Sequence, residues 1–199
     1  LKAYLGWGAF AQKCEHLVPD IEYAIQQILG KPFSFSLDLS DIKYLGRIND
    51  EYLYALKRLA AHIHFDGKAP STSFIEDLEN PEEDQKLAKY IDSYKKGTPF
   101  GSLIFFSETL GIYLPIKELK EPLHFQHEDK NIEICSVGSL YQLREELQKL
   151  EEKFKPPYQG SFNEEIPFSV EIETLKTLSG WVSKALEEEK PLVLVGEDY

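Results

Sequence analysis

The sequence predicts an α+β protein: a small antiparallel sheet, a meander, with four to five helices packed on one of its faces. Three observations predict it. Residues 100–154 read strand, tight turn, strand, connection, strand, glycine–serine, long helix, the order of a meander that ends in a covering helix. Other segments repeat their apolar residues at helical spacing. Of the 199 residues, 42% are hydrophobic and 13% aromatic, enough for one sizeable core.

The opening stretch, Leu1 to Phe10, is apolar with Trp7 between two glycines, and suits a buried strand or turn. A helix is predicted over 19–29. Pro19 fits its first position, Asp20 and Glu22 favour its positive end, Ile21, Ile25, Ile28 and Leu29 form a stripe, and Gly30 ends it. Phe33, Phe35, Leu37 and Leu39 alternate with Ser34, Ser36, Asp38 and Ser40. That period fits a half-buried strand, or else an extended connector leading into 41–45. A second helix runs from Asn49 or Asp50 to His64 on Leu53, Leu56, Ala60 and Ile63. Residues 66–73 form a loop. Asn80-Pro81-Glu82-Glu83 opens a third helix, with Leu87, Tyr90, Ile91 and Tyr94 inward and Gly97 as its stop.

Strands are expected at 102–107, 112–116 and 131–137, the first two joined by a turn at 108–111. Ser139 caps a helix over 140–154, striped by Leu140, Leu143, Leu147, Leu150 and Phe154. Pro156 and Pro157 mark 155–160 as a linker. The main domain is therefore read as 1–154. Residues 161–199 add a helix over 168–189 and a strand at 192–195, packed on the same body.

The net charge is −12, from 34 acidic against 22 basic residues. It repels a phosphate backbone, so nucleic acid is not an expected partner; it favours encounter with another protein, a basic one. Cys14 and Cys135 imply no disulfide framework. The amino end lacks a secretory pattern, and no apolar run reaches the roughly 20 residues a membrane span needs. A cytoplasmic protein with reduced thiols, away from membranes, is expected.

Histidines and nearby acids are the candidate metal ligands: His62, His64, His124 and His127, with Glu128 and Asp129. Zinc needs three or four converging donors. His62 and His64 lie two apart on a predicted helix and point roughly opposite ways, so neither a metal nor another cofactor is expected. Residues 127–131 read as the polar tip of a loop. Cys14-Glu15-His16 is not a ready dyad, because residues two apart on a helix do not face each other. Gly138-Ser139 precedes a helix and offers free N–H groups to an anion, or simply an N-cap. Trp7, Phe105 and Tyr113 are candidates to line a pocket beneath the sheet. The candidate binding residues are thus Trp7, Tyr113, Gly138 and Ser139, and no catalytic residue is assigned. Glu82-Glu83-Asp84 and Glu187-Glu188-Glu189 read as solvated helix faces. Nucleotide-loop, G-x-S-x-G and H-E-x-x-H patterns do not occur.

One resemblance bears on residues 100–154. Gly111-Ile112-Tyr113-Leu114-Pro115 follows an apolar strand, and Val137-Gly138-Ser139 opens a helix through Leu140, Leu143, Glu146 and Leu147. The pattern resembles uncharacterised bacterial domain families, and in general style immunity proteins encoded beside toxins. The resemblance implies no activity. The expected function is a small acidic protein-interaction module, in one version an immunity-type protein. The alternatives are a hydrolase-type enzyme with a histidine–carboxylate metal site and a small-ligand-binding domain.

Overall fold

The computed structural model describes residues 1–70, 73–74, 84–107, 109–126, 133–154 and 168–196. The predicted linker 155–160 and helix start 80–83 lie outside these residues, as does His127. Strand β1 (Lys2–Leu5) leads into α1 (Trp7–Cys14) and α2 (Val18–Leu29). β2 (Lys43–Arg47), α3 (Asp50–Asp66), α4 (Gln85–Ser93) and α5 (Gly101–Ile104) follow. Then come β3 (Leu110–Leu114), β4 (Leu123–Gln126), β5 (Glu133–Ser139), α6 (Leu140–Phe154), α7 (Ser169–Glu187) and β6 (Leu192–Val195).

The class is α+β, but the sheet is neither small nor a meander. Six strands lie in the order β2-β1-β6-β3-β5-β4, with β3 parallel to β5 and every other pair antiparallel. Burial explains the order. All five residues of β3 and all four of β6 are buried, and a strand apolar on both faces needs a central place. β4 alternates half-buried and exposed residues and takes an edge.

The expectation that helices cover one face is also corrected. Leu192 and Leu194 of β6 face a core built with α3, α5, α6 and α7, while Val193 and Val195 face a second core with α1 and α2. The described residues form seven helices rather than four or five, and α1 and α5 are the ones not foreseen.

Two expected strands are absent. The run 102–107 begins as a single helical turn, α5. Its backbone turns at Phe100, with φ 73°, and the Glu146 carboxylate on α6 accepts the Ser102 and Leu103 N–H groups at 3.1 and 2.9 Å. The run 33–40 is the connector, not a strand. Its backbone bonds to α2, with Gln26 Nε2 donating to the Phe33 carbonyl at 2.8 Å and Phe35 N–H donating to Glu22 at 2.7 Å. Phe33 and Phe35 still pack against the second core, which accounts for the first half of the period-two pattern; Leu37 and Leu39 are exposed.

The helix signals correspond to real ends. Gly30 closes α2 in the left-handed region, its N–H on the Gln26 carbonyl, and the Asn49 side chain caps α3 by accepting from Glu51 N–H. β6 pairs with both β1 and β3, so the last described strand belongs to the central sheet.

Candidate functional site

The predicted site residues do not converge. His62, on α3, bonds through Nε2 to Asp84. His64 packs its ring against Phe65 and Tyr90, at 4.9 and 5.2 Å. His124 is on the edge strand β4, 6.1 Å from the Phe105 ring. Among the described residues, no group of three or more His, Cys, Asp or Glu side chains is arranged to hold a metal ion. Trp7 and Tyr113 lie on opposite faces of the sheet. Trp7 packs with Phe10 and Phe35, and its N–H donates to Asp41.

Tyr113, Gly138 and Ser139 form a packing unit. Tyr113 stacks on Phe106 at 5.5 Å and donates its hydroxyl to the Ser102 carbonyl. A side chain at Gly111 would collide with Phe106, and one at Gly138 would press on the Tyr113 ring. Ser139 Oγ donates to the Ile116 carbonyl at 2.7 Å and accepts Tyr141 N–H, which is the N-cap reading of that residue. Cys14 and Cys135 are buried.

Two polar clusters were not foreseen. The first joins α3, α4 and α7. Asp84 caps α4, accepting Lys86 and Leu87 N–H groups. It also accepts from Arg58 Nε at 2.8 Å. Burial pushes its carboxyl up, but the bonds from Arg58, Leu87 and His62 outweigh that and hold it below the usual range. Asp84 is therefore not a solvated residue, unlike the exposed Glu187, Glu188 and Glu189. Arg58 and His62 both lie against the Phe74 ring, at 4.4 and 4.8 Å. Buried Glu171 accepts Phe74 N–H and Ser73 Oγ.

The second cluster lines a cleft between residues 94–102, residues 120–122 and α6. It encloses a cavity of about 90 Å³. Tyr94 ends α4 and bonds to the Glu121 carboxylate, which also accepts Gly97 N–H at 2.8 Å. A Cβ on Gly101 would stand 2.7 Å from the Tyr94 hydroxyl, so glycine there makes room for that phenol. Glu146 closes the cavity floor. Burial pushes its carboxyl up to about 7, against the bonds from Ser102 and Leu103. Burial, then the Glu121 carboxylate, keeps the Tyr94 phenol protonated. An open groove of about 620 Å³ adjoins the cavity, sharing Tyr94, Glu121 and Pro122 and reaching Phe105 and His124.

A signal for both clusters was present. Glu146 occupies the apolar stripe of α6, between Leu143 and Leu150, and Arg58 sits among buried residues of α3. A charge inside a stripe has to find a partner.

The model of a family described as "Putative DNA-mimic protein" matches residues 34–193, well over half of the chain, and the chain belongs to that family. No curated protein and no solved structure matches it. The membership fits the resemblance to families without assigned activity and gives no support to the immunity-protein version. It also corrects the expected partner. A merely basic protein, with nucleic acid left out, does not fit a family described by its likeness to DNA.

Proposed function

We propose that this member of the DNA-mimic family occupies the DNA site of a DNA-binding protein, presenting carboxylates where DNA presents phosphates. The observation that carries the reading is a net charge of −12 in a chain of that family. Duplex DNA carries about one negative charge per 1.7 Å of its axis, so a stand-in must be rich in anions. On this reading the protein and DNA compete for the same site on the partner. The acids are unevenly spread in sequence. Residues 75–83 include Glu76, Asp77, Glu79, Glu82 and Glu83 and no lysine or arginine, whereas α6 interleaves both signs. The general class, a protein-interaction module, is the one expected from the sequence.

The test is displacement. The immobilised protein is exposed to a cell extract, and the retained proteins are challenged with duplex DNA and with rising salt. Retained DNA-binding proteins released by duplex DNA, and more easily as salt rises, support the reading. Retained proteins that duplex DNA fails to displace reject it.

A further inference from the structure

We propose that the cleft beside α6 receives an arginine side chain of the partner, its guanidinium on the carboxylates of Glu121 and Glu146 and its stem against Tyr94 and Phe105. This rests on the preceding reading, because arginines that contact phosphate are what a DNA site presents.

Charge complementarity argues for this occupant. Glu146 is only 8% exposed, and Glu121 is half-buried. Each carboxylate bonds to neutral donors: the Ser102 and Leu103 N–H groups and the Ser102 side chain for Glu146, the Tyr94 hydroxyl and Gly97 N–H for Glu121. A carboxylate offers about four acceptor sites, so both retain capacity. Among the described residues, no ion pair reaches either acid. Lys120 and Lys149 also line the cleft, and both are exposed. Two acids bonded to neutral donors in one small cavity attract a cation.

Shape selects among cations. The cavity of about 90 Å³ is roughly three water volumes, room for a planar head group. The adjoining groove offers aromatic walls, with Tyr94 and Phe105 at 4.5 Å and Phe105 and His124 at 6.1 Å. A guanidinium is planar, weakly hydrated, bonds carboxylates through a fork and stacks on aromatic rings; an ammonium is compact and strongly hydrated. Burial already raises Glu146, and a bound guanidinium would lower it again.

The experiment is an NMR titration of the full chain with arginine amide, with lysine amide as the matched cation. Saturating shifts at Gly97, Ser102 and Leu103 N–H groups are expected with arginine amide, and binding several-fold weaker with lysine amide. Glu121→Gln, a half-exposed change that should leave the fold intact, should weaken arginine amide about five- to tenfold. Shifts that map elsewhere, an equal response to lysine amide, or an unaffected E121Q variant each overturn the proposal. The probe needs no partner, so its failure leaves the displacement test standing. A protein that takes arginine amide but whose retained partners ignore duplex DNA refutes only the earlier reading.

Discussion

Asp84 and Glu146 invite comparison. Each residue is 8% exposed, each accepts two backbone N–H groups, and each holds the start of a helix. Their carboxyls nonetheless move in opposite directions, Asp84 down and Glu146 up to about 7. Depth contributes, since Glu146 lies under more of the fold. The partners differ as well: Asp84 meets Arg58 and His62 inside the molecule, and Glu146 bonds only to neutral donors. Amide bonds alone do not repay the burial of a charge; a nearby cation does.

The largest effect is expected at Arg58. Arg58→Ala leaves Asp84 buried without its cation and should cost roughly 3–5 kcal/mol in urea unfolding. It should also turn Asp84 into an acid of the Glu146 kind, its carboxyl rising.

The next effect lies in pH. The Glu146 carboxyl ionises at about 7 when folded against 4.5 for the free group, so the native state holds its proton after the unfolded chain has lost it. Stability therefore falls as pH rises from about 4.5 to 7, by roughly 3 kcal/mol, and is flat above. Asp84, depressed below 3.8, acts in reverse: its contribution is present above that value and is lost as pH falls through the folded pKa. Melting temperature followed against pH should show the first slope vanish in Glu146→Gln and persist in Arg58→Ala.

Tyr113→Phe leaves the buried Ser102 carbonyl, within α5, without the phenol that donates to it, and should cost about 1–2 kcal/mol in the same unfolding assay. The smallest change is Lys149→Ala. Its charge lowers the Glu146 carboxyl from a distance, so its removal should move the midpoint of the pH slope slightly upward and leave stability almost unchanged.

What could be read in the sequence was local. Pro19 and Gly30 bracket α2, Asn49 starts α3, and the stripe from Leu140 to Leu150 is α6, because caps and periodicity act within a few residues. What escaped was set by distant groups. The run at 102–107 has strand composition, but its first turn is held by a carboxylate 44 residues along the chain. β2 and β4 are short edge strands without a strong pattern, and the parallel register of β3 on β5 depends on which strand inserts between which. The site suffered most. Its histidines were visible by type, whereas Glu121 and Tyr94 lie 27 residues apart and meet only through the fold.

The position of β6 has a consequence for how the sheet holds together. Among the described residues it follows every other strand in sequence, yet it alone bridges β1 and β3. Without β6 the sheet divides into two halves, one of β1 and β2 and one of β3, β5 and β4, each with a bare border. Only with β6 in place can the halves be sewn together, so the integrity of the whole sheet hangs on one four-residue strand.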